Sequence, residues 1–224
     1  MSMKINLCYL SNESLKVLLE NSLTALFECG WTYNVHLLGY CSYWTDGPIW
    51  DFGESENFEE TITDKKLNLN RIKALIAKVS DFYSPSIILG IEINGNIVSG
   101  NLNIVEEDGE WKQICFTIDR DNILDRVPGY IQNKNKDFIY KIFLSMSDYI
   151  DPCYGLCGTE LEGVTLKKEK DDFRKMRIAD AAFFSRRLNI DSAKFFNGSE
   201  KFLEINSLKG FILKRKINFM ELYS

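Results

Sequence analysis

Three β-rich runs separated by turn residues occupy the middle of the chain, and they constrain its fold more than any other feature. Residues 86–93 end at Asn94-Gly95, a dipeptide that favours the two-residue turn of a β-hairpin. Residues 97–105 lead to a second turn at 106–109, and a third run follows at 111–118. Because short turns join antiparallel strands, the sequence predicts an antiparallel meander here.

Helical and strand patterns surround this meander. Apolar residues follow the helical spacing over 15–27, between a candidate N-cap at Asn12 and a terminating Gly30. The same spacing predicts helices over 69–79 and 136–150. Alternating or β-rich residues predict further strands at 4–10, 31–40, 154–161 and 211–217.

The elements are spread evenly along the chain. Its 224 residues are 45% hydrophobic, which is enough to bury a sizeable core. No linker, repeat or low-complexity block divides it, so we expect a single α+β domain over residues 1–224. Hairpins without regular βαβ alternation indicate a mainly antiparallel sheet with helices packed on one face. A closely related closed sheet is the alternative.

The formal net charge of −5 is unevenly distributed along the chain. No Lys or Arg occurs between Lys16 and Lys65, whereas nine acids do. Residues 1–64 contain two cations and ten acids, a net charge of −8, and the remainder has a net charge of +3. This distribution argues against binding nucleic acid through a diffuse basic surface and favours a basic protein partner.

Aromatic residues lie among the acids in the second part of this cation-free stretch. We predict an irregular segment from Cys41 to about Asp64, and loops of this length are uncommon unless they have a function. Aromatic anchors surrounded by acids are typical of a hot spot that binds a basic partner. The alternative is that the tryptophans cap the core and the acids form a solvated rim. The candidate partner-binding residues are Tyr43, Trp44, Asp46, Trp50, Asp51, Glu54, Glu56, Glu59 and Glu60.

The histidine and cysteine content restricts metal and redox chemistry. With His36 as the single histidine, a three-histidine zinc site is impossible. Three residues separate Cys153 from Cys157, which fits neither a zinc knuckle nor a thioredoxin-type redox pair. Cys29 and Cys41 flank His36 with spacing too irregular for a typical zinc site. We therefore expect no metal and no cofactor.

Sequence signatures of common enzymes are missing. The chain has no Gly-x-Ser-x-Gly, no His-Glu-x-x-His and no glycine-rich phosphate loop. Glu160 and Glu162 lie on one face of a possible strand and could form an acid–base pair, so a carboxylate-based hydrolase or transferase stays an alternative. A housekeeping scaffold subunit is another alternative. We expect no catalytic residues, and the oligomeric state is left open.

The N-terminal and apolar segments bear on the compartment. Asn6, Asn12 and Glu13 interrupt the first apolar stretch, so we expect no secretory signal. No eighteen apolar residues run together, so neither a transmembrane helix nor a membrane partner is expected. A cytoplasmic protein with six reduced cysteines is the expectation.

Four short segments follow one another from residue 151 onward. They are Asp-Pro-Cys-Tyr-Gly at 151–155, Thr159-Glu160, Ala-Phe-Phe-Ser-Arg-Arg-Leu at 182–188, and Gly-Phe-Ile-Leu-Lys at 210–214. This order resembles immunity proteins of bacterial polymorphic-toxin systems. The resemblance implies a non-enzymatic protein that neutralises one cognate toxin by tight binding, often over the toxin's active site. Many such toxins are nucleases, and their basic clefts would accept acidic and aromatic side chains.

Overall fold

A computed structural model describes residues 4–42, 55–61, 67–79, 84–108, 110–119, 133–159, 161, 166–171, 179–190 and 202–215. These residues form ten strands, four helices and one 3-10 helix. In chain order the elements are β1 (Lys4–Ser11), α1 (Leu15–Glu28), β2 (Tyr33–Ser42), β3 (Ser55–Thr61), α2 (Leu69–Val79), β4 (Ser84–Ile93), β5 (Asn96–Asp108), β6 (Trp111–Asp119), α3 (Asn133–Ile150), β7 (Tyr154–Thr159), α4 (Leu166–Asp171), β8 (Ala181–Ser185), the 3-10 helix (Arg186–Leu188), β9 (Phe202–Asn206) and β10 (Gly210–Arg215).

All ten strands belong to one antiparallel sheet, in the order β3-β2-β4-β5-β6-β1-β7-β8-β10-β9. The first strand of the chain is central, because β1 pairs with β6 on one side and with β7 on the other. It thereby joins the meander β4-β5-β6 to the C-terminal strands. The predicted α+β class and the antiparallel sheet are confirmed.

The three longer helices cover one face of the sheet, which we call the helix face. On β1, Ile5, Leu7 and Tyr9 alternate toward this face and belong to the main hydrophobic core. The Tyr9 ring stacks on Phe143 of α3 at 5.3 Å, and its hydroxyl donates to the Phe143 carbonyl oxygen at 3.1 Å. In the described ranges no helix is long and apolar enough to cross a membrane.

A short helix and a second hydrophobic cluster occupy the opposite face. Leu166, the first residue of α4, is buried there with Cys8 and Leu10 of β1. Lys170 lies 4.5 Å from the centre of the Trp111 ring on β6. The predicted packing of helices on one face therefore holds for α1, α2 and α3, and the short α4 adds a partial cover on the other.

Local signals at the turns and caps are mostly confirmed. Asn94 and Gly95 both have positive φ, 51° and 79°, as a type I′ hairpin turn between β4 and β5 requires. Gly30 has a φ of 94° just after α1. The N-cap is Ser14 rather than Asn12, because the Ser14 hydroxyl accepts the Val17 N–H at 3.4 Å.

The prediction of an irregular segment from Cys41 to about Asp64 is wrong for two parts. Cys41 and Ser42 end β2, and residues 55–61 form β3, which is the terminal strand of the sheet. The sequence of β3, Ser-Glu-Asn-Phe-Glu-Glu-Thr, has no alternating apolar residues. A strand at a sheet edge tolerates charge at most positions, so it does not need the apolar alternation by which a strand is recognised. The sequence pattern predicted neither β8 nor β9.

Candidate functional site

The acidic residues predicted to bind a partner divide between β3 and the connection that precedes it. Glu56, Glu59 and Glu60 lie on β3, at register positions opposite Cys41, Leu38 and Leu37 of β2. The predicted residues Tyr43, Trp44, Asp46, Trp50, Asp51 and Glu54 lie outside the described residues. Ser42 and Ser55 are register partners, so this connection starts and ends at the same end of the β2–β3 hairpin.

The position of β3 at the end of the strand order has a chemical consequence. An edge strand presents backbone N–H and C=O groups along one side, and partner strands often add to such an edge. Among the described strands, β3 pairs with β2 alone. Its glutamates are therefore placed on a strand whose other edge can meet a partner.

The sheet order also groups the strands by charge. β3, β2, β4 and β5 are neighbours in that order, and none of the four contains Lys or Arg. We call these four strands the cation-free end. Their acids are Glu56, Glu59, Glu60, Glu92, Glu106, Glu107 and Asp108. The sequence showed a cation-free stretch only up to residue 64, and the fold extends it to β4 and β5.

The face of the cation-free end opposite the helices has described side chains that reach solvent. Ile97 and Val105 of β5 are 42% and 45% exposed. Glu92 is exposed and is the register partner of Ile97. Partial desolvation raises the pKa of Tyr33 above its usual value, and the hydrogen bond of the Tyr33 hydroxyl to the Glu92 carboxylate raises it further. Acidic and apolar groups thus lie side by side on this face.

Residues that carried the family resemblance come together at the other end of the sheet, which we call the β9 end. Asp151 follows α3 with a positive φ of 50°. Its carboxylate forms ion pairs with Arg187 at 3.5 Å and with Lys209 at 3.9 Å, and its carbonyl oxygen accepts a hydrogen bond from Arg187. The Ser185 hydroxyl orients Arg187 by accepting from its Nε at 3.2 Å. Segments 151–155, 182–188 and 210–214 are therefore neighbours in space.

A second acid at the β9 end holds the turn between β9 and β10. The Asp148 carboxylate accepts from the Ser207 hydroxyl at 2.6 Å and from the Leu208 N–H at 3.3 Å. The Ser207 hydroxyl in turn accepts the Lys209 N–H at 3.2 Å. These contacts tie the turn to the end of α3, and they leave Leu208 79% exposed. The arrangement is structural, since each acid bonds to groups of the same chain.

Arg187, Ser207 and Lys209 were not singled out from the sequence as partners of these acids. Ser185-Arg186-Arg187 has the pattern of a serine-capped turn, and Leu208-Lys209-Gly210 that of a tight turn. Those local signals predict two turns. They do not predict that both turns meet the end of α3, because that proximity depends on the pairing of β7, β8 and β10.

The candidate residues for metal binding or acid–base chemistry either do not cluster or lie outside the described residues. Among the described residues, no three His, Cys, Asp or Glu side chains cluster as metal ligands would. Burial raises the pKa of the Cys157 thiol well above its usual value, and Cys153 lies just before β7. Glu160 and Glu162 lie outside the described residues.

No protein-family model, curated protein or solved structure matches this chain.

Proposed function

We propose that this chain is a non-enzymatic binding protein that neutralises a cognate bacterial toxin by tight protein–protein binding through the cation-free end. The observation that carries the proposal is the strand order, which places four strands without Lys or Arg next to one another. Charge of one sign on a contiguous surface steers a partner of the opposite sign and raises its association rate. The expected partner surface is basic.

The cation-free end combines three features of a protein interface. Its glutamates pair with Arg and Lys of a basic partner, and exposed Ile97 and Val105 supply apolar contact area. The edge of β3 offers backbone hydrogen bonds. The connection at 43–54 adds Tyr43, Trp44 and Trp50, residue types that dominate interface hot spots.

The family resemblance supplies the class of partner. Acidic side chains would occupy the phosphate positions of a basic nuclease cleft, and aromatic rings would occupy its base-binding space. A bound inhibitor of this kind needs no catalytic group of its own.

The test begins with the product of the gene beside the one that encodes this chain. Expressed alone in a bacterial host it should arrest growth, and co-expression of this chain should restore growth. Purified partner is then titrated against wild-type protein and the double variant Glu59→Lys with Glu60→Lys. We expect the association rate constant of the double variant to fall by about tenfold or more at low salt.

A matched control separates local charge from total charge. Asp137→Lys with Glu204→Lys changes the net charge by the same amount, at exposed positions on α3 and β9. This control should bind with close to the wild-type rate. Unchanged binding and unchanged salt dependence of the Glu59/Glu60 variant would rule out β3 as the binding strand, and a neighbouring gene product that is harmless would remove the toxin as partner.

A further inference from the structure

Two cysteines lie opposite each other on β1 and β6, the two middle strands of the sheet. Cys8 of β1 and Cys115 of β6 are direct register partners. They lie 107 residues apart in sequence, and their sulfur atoms are 2.6 Å apart. Both are thiols in this structure. The six cysteines are dispersed along the sequence, and no local pattern predicts that these two meet.

The backbone geometry of such a pair suits a disulfide bond. Directly opposed residues of antiparallel strands have Cα atoms about 4.5–5.5 Å apart, within the range of about 4.4–6.8 Å found across disulfides. The sulfur atoms would have to close to about 2.05 Å, a movement of roughly half an ångström that side-chain rotation can supply. No strand has to shift for the bond to form.

The two thiols differ in access. Cys115 is partly exposed on the face opposite the helices, whereas Cys8 is 1% exposed. The side-chain amide of Gln113 donates to the Cys115 sulfur at 3.6 Å, and its carbonyl oxygen accepts the Leu166 N–H of α4 at 3.1 Å. Gln113 therefore holds α4 beside the pair, and Cys115 is the thiol that a small oxidant reaches first.

We propose that Cys8 and Cys115 are a modification site, a dithiol that a peroxide converts reversibly into a cross-strand disulfide. The Cys115 sulfur attacks one oxygen of hydrogen peroxide, the O–O bond breaks, and the second oxygen leaves as water with the thiol proton, which gives a sulfenic acid. The Cys8 sulfur then attacks the Cys115 sulfur, the S–O bond breaks, and a second water molecule leaves with the Cys8 proton. The two thiols lose two electrons in total, and one peroxide molecule gains them. An external thiol reverses the bond by exchange.

The bond would act on the sheet as a whole. β6 and β1 are the fifth and sixth of ten strands, so the disulfide would join the half that contains the cation-free end to the half that contains the β9 end. A cross-link that closes a long loop restricts the unfolded chain and raises resistance to unfolding. The pair is separated from β3 by β2, β4 and β5, so partner binding through β3 does not depend on it.

Tryptic cleavage separates the two cysteines and makes the bond directly observable. Cys8 falls in peptide 5–16 and Cys115 in peptide 113–120. Full-length protein is reduced, treated with hydrogen peroxide under native conditions, alkylated and digested without reductant. Mass spectrometry should find these two peptides joined, and the count of alkylated thiols in denatured protein should fall from six to four. Dithiothreitol should restore all six.

Two variants distinguish the pair from general oxidation. Cys115→Ser should keep all of its five thiols after peroxide treatment. The urea concentration at which half of this variant is unfolded should be the same before and after the treatment. Cys153→Ser, another partly exposed cysteine, should lose two of five thiols and form the same joined peptides. In wild-type protein the oxidised form should unfold at a higher urea concentration than the reduced form.

Several results would overturn the proposal. They are the absence of the joined peptides in oxidised wild-type protein, sulfinic acid at Cys115 without a cross-link, and loss of the cross-link in Cys153→Ser. The wild-type peptide map answers the question even if Cys115→Ser fails to fold.

Discussion

The two ends of the ten-stranded sheet use acidic residues in different ways. At the β9 end, Asp148 and Asp151 bond to Ser207, Arg187 and Lys209 of the same chain. At the cation-free end, seven acids lie on four neighbouring strands that contain no Lys or Arg. Of these acids, Glu106 has Lys112 of β6 as its register partner, at the border of the cation-free end. A lack of cations on the four strands themselves, rather than the number of acids, marks the surface that we assign to a basic partner.

The energetic roles of the two ends should differ accordingly. The ion pairs of Asp151 are about half exposed, with side chains 38–49% accessible, so solvent screening leaves each of them worth roughly 0–1 kcal/mol. Packing and buried hydrogen bonds hold the β9 end together more strongly than these charges do. Substitutions that separate stability from binding test this contrast.

The largest effect is expected from Gly210→Ala, at the start of β10. A Cβ atom there would collide with the Phe184 carbonyl oxygen of β8 and lie 3.0 Å from Cζ of Phe183. Because backbone atoms cannot move aside cheaply, we expect the free energy of unfolding to fall by about 1–3 kcal/mol. Urea unfolding followed by circular dichroism measures this loss. Ser99→Ala, at an exposed position of β5, is the control and should change the free energy of unfolding by less than about 0.5 kcal/mol.

If Gly210→Ala is as stable as the wild type, β8 and β10 do not approach each other as closely at Gly210 as the structure shows. Binding of the partner should be unaffected in the folded fraction, because Gly210 lies at the β9 end. Loss of binding without loss of stability would move the partner site to that end.

A smaller effect is expected from Ser207→Ala. The substitution removes the hydrogen bond to Asp148 and the acceptor of the Lys209 N–H, and Ser207 is buried. We expect a loss of about 1 kcal/mol in urea unfolding. Glu60→Gln on β3 should change stability by less than about 0.5 kcal/mol while it weakens partner binding. The contrast between the two ends fails if Glu60→Gln costs as much stability as Ser207→Ala.

The smallest effect concerns the pH dependence of Tyr149 on α3. Its hydroxyl donates to the Glu28 carboxylate, and this hydrogen bond, with some desolvation, raises the pKa of Tyr149. A group whose pKa is raised by folding contributes stability below its unfolded pKa of about 10, and this contribution is lost as the pH rises through the folded value. Glu28→Gln should lower the pKa of Tyr149 toward its usual value.

The titration of Tyr149 is followed as the difference in ultraviolet absorbance between a protein that contains Tyr149 and its Tyr149→Phe counterpart as the pH is raised. Glu20→Gln, an exposed glutamate earlier in α1, is the control and should leave the titration unchanged. An unchanged pKa in Glu28→Gln would show that the contact between the ends of α1 and α3 does not form.

Local patterns predicted the elements whose own residues determine them. The Asn94-Gly95 turn, the amphipathic helices α1, α2 and α3, and the strands β1, β4, β5 and β6 have periodicity or turn chemistry that is independent of distant residues. β3 was missed because an edge strand needs no apolar alternation. β8, Ala-Ala-Phe-Phe-Ser, is buried at every position, so it has no alternation either.

The place of the candidate site in the fold was predictable in part. The cation-free stretch singled out Glu56, Glu59 and Glu60 as candidates, which stays a prediction, and these three residues lie on the terminal strand. It could not predict that β4 and β5 extend the same surface, since strands distant in sequence become neighbours only through the sheet order.

The sequence by itself determined the α+β class, the central meander and the uneven charge, because each depends on residue type and short-range spacing. Only the tertiary structure decided that β1 lies between β6 and β7, that Cys8 meets Cys115, and that the cation-free strands form one end of the sheet. Those relations are pairings between strands far apart in the chain. They are set by burial of the shared core and by strand register, which no local pattern encodes.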